Sequence, residues 1–513
     1  MAQSSSTEQQ LEPRCQVLMC DGKPCGRPIH PAPAHDEQPV CLMHSKDPSK
    51  NDKTFHNEFE IILIEAKFGN SIADFTRFIF PTLNYCHKVI QPYCVFWHAS
   101  FVEGVNLSGS RFEQCVDFRQ AYFGGNAEFN NTTFADKANF SGSTFRSTAN
   151  FEQTTFSQEA EFFAAVFAQS GDFILAKFLN KVNFRAAKFK GCADFRVSLF
   201  TGDADFLQTI FSNGTQFYNA TFVDAVNFQN TYFRPNQASG QIIDFTHVKF
   251  IHPETARFYG IDLSHTIIHN TDVSKIDFTL IEWNRRTKSR FRLFDEVVGL
   301  EFAGALEPLK NTYDERNYSL IAETYQQLKR NYDAKGDYWT AGHWHYGEME
   351  MKRLHSRWRN KTMRWLSQNF CLAALYKYAS EYGESYARPL LWLATILLSF
   401  SLLYPLIGVY PTTGLDLNLP NAASTAKDAA LNHLNYWNYK AFFAAHPYEN
   451  PQGIPGLLLH GLMTSLSVAG FQKELRYMPG YPWGRLLALF EILLTTTLAG
   501  LFALAIRRQF KRS

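Results

Sequence analysis

The sequence predicts a multidomain chain: a soluble solenoid, a helical connector, and two membrane-spanning helices that flank a re-entrant segment. Three observations carry this. Phenylalanine recurs at a fixed short period through the middle of the chain. Cysteine and histidine cluster near the amino end. Two long apolar runs lie near the carboxyl end. The divisions expected are a small metal-binding module at 1–50, a cap or linker at 51–94, the solenoid at 95–285, a linker at 286–316, a helical hairpin connector at 317–382 and a membrane domain at 383–513.

Composition narrows the function classes. The chain has 513 residues, enough for several domains. Its 50 Lys and Arg against 48 Asp and Glu give a net charge of +2. That balance excludes a strongly basic nucleic-acid binder, so no nucleic acid is expected as a partner. The mean hydropathy of −0.24 makes most of the chain soluble. No Gly-rich phosphate loop, nucleophile elbow or convincing carboxylate pair is present, so no enzyme is expected. The first 30 residues lack the apolar core of a secretory signal, which places the amino-terminal bulk in the cytoplasm.

Of nine cysteines, four lie in the first 41 residues. That clustering suits a metal site rather than a secreted disulfide framework. "RCQVLMCDGKPCGRPIHPAPAHDEQPVCLMH" supplies Cys15, Cys20, Cys25, Cys41 and His44, with His30 nearby. Zinc takes four N or S ligands in a tetrahedron, and Cys-Leu-Met-His closes a tight chelate. The ligands expected are Cys15, Cys25, Cys41 and His44, with Cys20 the rival of Cys15. The segment is similar to short zinc knuckles with a Gly-x-x-Cys … Cys-x-x-His arrangement. A zinc ion there would be structural.

From Phe101 to Phe233 an apolar residue recurs with spacings alternating six and five, and 24 of the 25 positions are Phe; Leu107 is the exception. A mean period near 5.5 fits neither a helix nor a flat strand. It fits a coil that turns a corner every five or six residues, with the large residue inward at the centre of each face. A small residue two places earlier, as at Ala127, Ala138 and Ala149, shares the inward side because strand side chains alternate. Asn and Asp in "ANF", "GDF" and "ADF" suit the corners. One coil cannot bury its own core, so many must stack. This pattern resembles the pentapeptide-repeat family. The strict five-residue form follows in "IDLSHTIIHNTDVSKIDFTLIEW", centred on Leu263, Ile268, Val273, Phe278 and Trp283. The resemblance implies a right-handed quadrilateral β-helix. Some members imitate DNA, but 13 acidic and 10 basic residues between 101 and 233 give too weak a field for that. A scaffold, with a protein partner on the solenoid, is the expectation.

The rhythm stops near Asn317. Ile321, Tyr325, Leu328 and Tyr332 form one helical face. Gly336 and Asp337 end that helix and start a second, giving a pair similar to one tetratricopeptide-like unit. His343, His345, Glu348 and Glu350 read as a helix face rather than a metal site. The basic run from Lys352 to Arg364 suits an anionic cytoplasmic leaflet.

Pro389 to Tyr410 is free of charge, and Leu486 to Ile506 carries Glu491 alone; each is long enough to cross a bilayer. Arg388 before the first and Arg507, Arg508, Lys511 and Arg512 after the second put both ends inside. The expected location is therefore the cell (inner) membrane, multi-pass, with the amino-terminal domains and the carboxyl terminus cytoplasmic. Between the spans, "GIPGLLLHGLMT" is too short an apolar run to cross and reads as a re-entrant helix ending near Thr464. Irregular backbone at membrane depth survives only where it lines water or is buried in protein. The expected pore-lining residues are Ser465, Ser467, Val468, Ala469, Gly470, Phe471 and Gln472, with Glu491 as a pore-supporting carboxylate. "PWGRL" at 482–486 and the order of span, short helix, Gly-bearing loop and span resemble the two-transmembrane potassium-channel fold. "YGESYARPLLW" and "LLYP" resemble pentapeptide-repeat proteins that end in such a unit. The resemblance implies a homotetramer passing an inorganic ion. The loop departs from a potassium filter: one Gly remains, the closing Gly and Asp are absent, and Lys473 follows at once. Potassium selectivity is not carried over.

Overall fold

The computed structural model describes residues 13–31, 36–234, 242–287, 290–301, 317–355, 360–411, 434–445, 452–470, 477–479 and 483–510. The chain divides into two compact units. One comprises Met1–Gly336 with His343–Glu348, the other Asp337–Gly342 with Met349–Ser513.

The first unit is dominated by a β-solenoid of short parallel strands in four columns. Thr133 pairs with Thr155 and Phe134 with Phe156, so each coil uses 22 residues. One column has ten strands, from Ala73–Asp74 to Asp277–Thr279, which makes about nine turns. Two columns merge into one sheet where Lys188–Asp194 and Ile210–Gln216 run unbroken round a corner.

The Phe series forms the core. Phe129 stacks on Phe151 at 4.8 Å and Phe151 on Phe173 at 4.9 Å, with planes within 3°. These distances equal the spacing between hydrogen-bonded strands, so the coil pitch sets the stacking. Neighbouring columns meet edge to face, as in Phe140 against Phe151 at 87°. Buried hydroxyls knit successive coils: Thr132, Thr154 and Thr209 each donate to the carbonyl 25 residues earlier. At the corners a hydrogen bond closes each turn, such as Thr132 N–H to the Phe129 carbonyl at 3.0 Å. The residue before the donor adopts left-handed backbone, with φ of 58° at Asn131 and 57° at Gln153. Asn and Asp hold those turns, as where Asn139 accepts from the Ser141 N–H at 2.9 Å. A Cβ on Gly125 would lie 2.0 Å from the Glu103 carbonyl oxygen, so that corner admits only glycine.

The solenoid begins at Ala73, earlier than the expected 95. Phe75, Phe80, Ile90 and Phe96 already point into the core at the same spacing. The interleaved Tyr85 and Ile90 hide the rhythm in the sequence. Helix α1 (Asp52–Gly69), capped by the Asn51 side chain, covers the first coil with Phe55 and Phe59 against Phe75 and Phe80.

The other end of the solenoid is also covered. Helix α2 (Phe294–Glu301) lies within the stretch expected to be a linker. Its Asp295 is buried and accepts from the Ile268 and His269 backbone N–H groups and pairs with the His269 ring. Helix α3 (Asn317–Ala334) buries Ile321, Tyr325 and Leu328. Its Asn331 donates to the Val273 and Ile276 carbonyls at 2.9 and 2.8 Å. The stretch expected to be a connector thus caps the coil. Helix α4 (Tyr338–Leu354), with Asp337 as its N-cap, carries residues of both units.

The second unit is helical. Helices α5 (Lys361–Asn369) and α6 (Leu372–Ser380) precede α7 (Ala387–Ile407), and α8 (Tyr439–Ala445), α9 (Gly453–Ala469) and α10 (Trp483–Phe510) follow. Helices α7 and α10 are long and apolar enough to cross a membrane, and 22% of each apolar window is buried. A core helix of a soluble domain would be mostly covered. Strand Val409–Pro411 pairs antiparallel with Tyr477–Pro479.

Candidate metal centre and membrane-unit core

At the amino end, Cys15 and Cys25 sit on opposite arms of a short hairpin. The Cys15 N–H donates to the Arg27 carbonyl and the Cys25 N–H to the Val17 carbonyl. Cys41 and His44 are held by a turn in which the His44 N–H donates to the Cys41 carbonyl at 3.0 Å. Together they place three thiols and an imidazole within 4.8 Å of one another. The Cys25 and Cys41 sulfurs are 3.8 Å apart, and Cys15 Sγ is 3.5 Å from His44 Nδ1. A tetrahedron with metal–sulfur bonds of about 2.3 Å has an S–S edge of about 3.8 Å, so the donor set fits a metal of that size. His44 Nε2 lies 3.1 Å from the Thr76 carbonyl. Donation there leaves Nδ1 as the free lone pair on the cluster side, the usual outer-shell support of a ligating imidazole.

The Cys25 thiol is pushed well below the ordinary thiol range, chiefly by the hydrogen bond from Cys41, against the burial that raises it. Cys20 is not a member. Its backbone N–H donates to Asp74, and burial followed by the Asp74 carboxylate pushes its thiol up to about 12. Of the two candidates for that position, Cys15 is the one in the cluster. Among the described residues this is the one group of His, Cys, Asp and Glu close enough to hold a metal. His345 and Glu348 are 3.7 Å apart but join Lys329, while Glu350 belongs to a different network.

In the second unit, α9 packs against both α7 and α10. The core they share includes Phe400, Tyr404, Phe442, Leu457 and Val468. Gly461 permits close approach: a Cβ there would lie 2.1 Å from the Ser401 carbonyl oxygen. The three helices are tied by one carboxylate. Glu491 on α10 is fully buried, accepts a hydrogen bond from Tyr404 of α7 at 2.5 Å, and accepts another from Ser465 of α9. Ser465 also lies 3.2 Å from the Leu397 carbonyl.

The expected pore-lining residues fall in three places. Ser465, Ser467, Val468 and Ala469 are helical, because α9 runs five residues beyond the expected stop at Thr464. Ser-Leu-Ser-Val-Ala contains no breaker, so nothing ends the helix before Gly470, whose N–H donates to the Leu466 carbonyl. Ser465 and Val468 are buried. Phe471 and Gln472 lie outside the described residues, as do Lys473 and Arg476. Glu491 turns to Ser465 and Tyr404. The sequence reading does not single out Tyr404; its signal was a tyrosine inside the charge-free first span, opposite the one carboxylate of the second. Glu350, read from the sequence as part of a helix face, is buried and accepts hydrogen bonds from Arg353, Lys377 and Tyr382.

Comparison with known proteins bears on the solenoid. The family model for pentapeptide repeats (9 copies) matches residues 118–166 and 173–221. No curated protein matches the chain. Among solved structures, full-length QnrB1, a plasmid-mediated fluoroquinolone resistance protein, is 18% identical over 40% of this chain and 92% of its own, with a TM-score of 0.19. That score establishes no shared fold. The family match and the strand register agree on the repeat unit: the solenoid of this chain is a run of pentapeptide repeats.

Proposed function

We propose that this protein is a membrane-anchored pentapeptide-repeat protein whose carboxy-terminal unit forms an ion-conducting pore. The carrying observation is helix α9. Its 17 residues rise about 26 Å, short of a hydrocarbon core of about 30 Å. Strand Val409–Pro411 before it pairs antiparallel with Tyr477–Pro479 after it, so a segment that enters there leaves on the same face. An apolar helix that dips in must bury its polar end in protein or water. The hydroxyls of Ser465 and Tyr404, each donating to the Glu491 carboxylate, supply the protein side of that requirement. Two spans and one dipping segment enclose nothing alone, so several copies, four by the channel-like order of elements, surround the axis. The pore lining then starts near Ser467 and continues through Gly470, Phe471 and Gln472.

In this reading the solenoid and its capping helices stand in the cytoplasm as a sensor or assembly domain. The Cys3His cluster holds a structural zinc that fixes the Cys15–Cys25 hairpin and the Cys41–His44 turn against the first coil. Arg507 and Arg508 at the end of α10 agree with a cytoplasmic carboxyl terminus. The test is flux through proteoliposomes of the full chain. Ion release that a Gly470→Trp substitution abolishes supports the pore; equal and negligible release from both proteins removes it. A second reading, a non-conducting anchor for the solenoid, is favoured by the missing filter Gly and Asp and by Lys473. It predicts that Gly470→Trp changes nothing.

A further inference from the structure

We propose that α5 and α6, the two short helices before the first span, form a lipid-binding surface that lies against an anionic leaflet. The proposal rests on the membrane reading of α7 and α10, not on conduction.

Neither helix contains an acid, and α5 carries Lys361 and Arg364. On α6, Leu372, Leu375 and Tyr378 recur every third residue and are 84%, 59% and 51% exposed. Phe370, between the helices, is 69% exposed. The opposite side of α6 is engaged: Ala374 and Ser380 are buried, and Lys377 donates to Glu350 at 2.9 Å. So α6 has one face committed to protein and one apolar face with no protein against it among the described residues. A stripe of that kind, beside basic residues and free of acids, matches a helix lying in the headgroup boundary.

What covers it follows from continuity. The Trp392 indole on α7 donates to the Tyr378 carbonyl at 3.2 Å, which joins the apolar face of α6 to the exposed start of the span. Leu391 beside it is 66% exposed. If α7 meets lipid there, the stripe of α6 meets the same leaflet. Trp and Tyr are the residues favoured at the headgroup boundary.

The test uses the full chain in nanodiscs of phosphatidylcholine with a photoactivatable phosphatidylglycerol, with adducts mapped by peptide mass spectrometry. Adducts are expected on 361–378 as well as on α7 and α10. The pair Leu372→Glu and Leu375→Glu should lower those on 361–378 about tenfold and leave those on the spans. Adducts on the spans with none on 361–378 overturn the proposal and mean that protein covers the stripe. Adducts on neither region overturn the membrane reading itself. Adducts on 361–378 that the two substitutions leave unchanged show labelling without docking, and also overturn it.

Discussion

The solenoid and the membrane unit solve the burial problem in opposite ways. In the solenoid one solution is copied: successive coils repeat the stacked rings and a left-handed turn position, and buried hydroxyls recur in several of them. No single ring is indispensable, and Leu107 already stands in the series for Phe. In the membrane unit nothing repeats. Three helices share an apolar core, and its polar contact and its closest approach depend on one carboxylate, two hydroxyls and one glycine, each used once. Redundancy makes the first region tolerant and legible, while dependence on single contacts makes the second sensitive. The metal module resembles the membrane unit in this, since four side chains carry it.

The largest test concerns that module. Cys41→Ser removes a ligand from a site whose binding energy, at about 10–16 kcal/mol for small zinc modules, is also its folding energy. Zinc content by elemental analysis should fall from one per chain to none, and trypsin should cut within 14–50 while the solenoid resists. Cys20→Ser should change neither; if it alone removes the metal, the cluster has been assigned wrongly.

Next comes the copied core. Phe151→Ala should cost about 3–5 kcal/mol, read by denaturant unfolding, because it leaves a ring-sized cavity between Phe129 and Phe173. Phe151→Leu should cost only about 1 kcal/mol. A Leu substitution as damaging as Ala would contradict the tolerance argued from Leu107.

In the membrane unit, Glu491→Ala should destabilise by about 2–3 kcal/mol, since it strands two buried hydroxyls, and Tyr404→Phe by about 1 kcal/mol. Thermal unfolding in detergent measures both. Equal, negligible effects would show that the three helices do not depend on this contact.

The smallest effect depends on pH. Burial works to raise the Glu350 carboxyl, but hydrogen bonds and charge from Arg353 and Lys377 outweigh it and hold it at about 2. A carboxyl lowered in the folded state stabilises above its unfolded value, near 4.5, and loses that contribution as pH falls toward 2. The acid limb of stability between those values should flatten in Glu350→Gln. An unchanged limb would mean that other carboxylates control it.

How far the sequence could be read tracks the same contrast. The solenoid was legible because 24 copies of one residue leave no competing period, and the start at Ala73 was hidden only where Tyr85 and Ile90 replace the ring. The metal ligands were legible as a set, but choosing Cys15 over Cys20 needed the hairpin that turns Cys20 toward Asp74. The expected end of α9 fell five residues early because the apolar run stops at Thr464, whereas a buried Ser465 continues the helix and bonds a carboxylate on another. The partnership of Tyr404 with Glu491 spans 87 positions, and no local pattern announces a contact at that distance.

The central claim is that the membrane unit conducts. Single-channel recording of the purified full chain in a planar bilayer tests it most directly. The account predicts discrete current steps that disappear in Gly470→Trp, in a protein that still inserts and still carries its metal. A silent bilayer with correctly inserted, folded protein would contradict it and leave a membrane-anchored repeat scaffold.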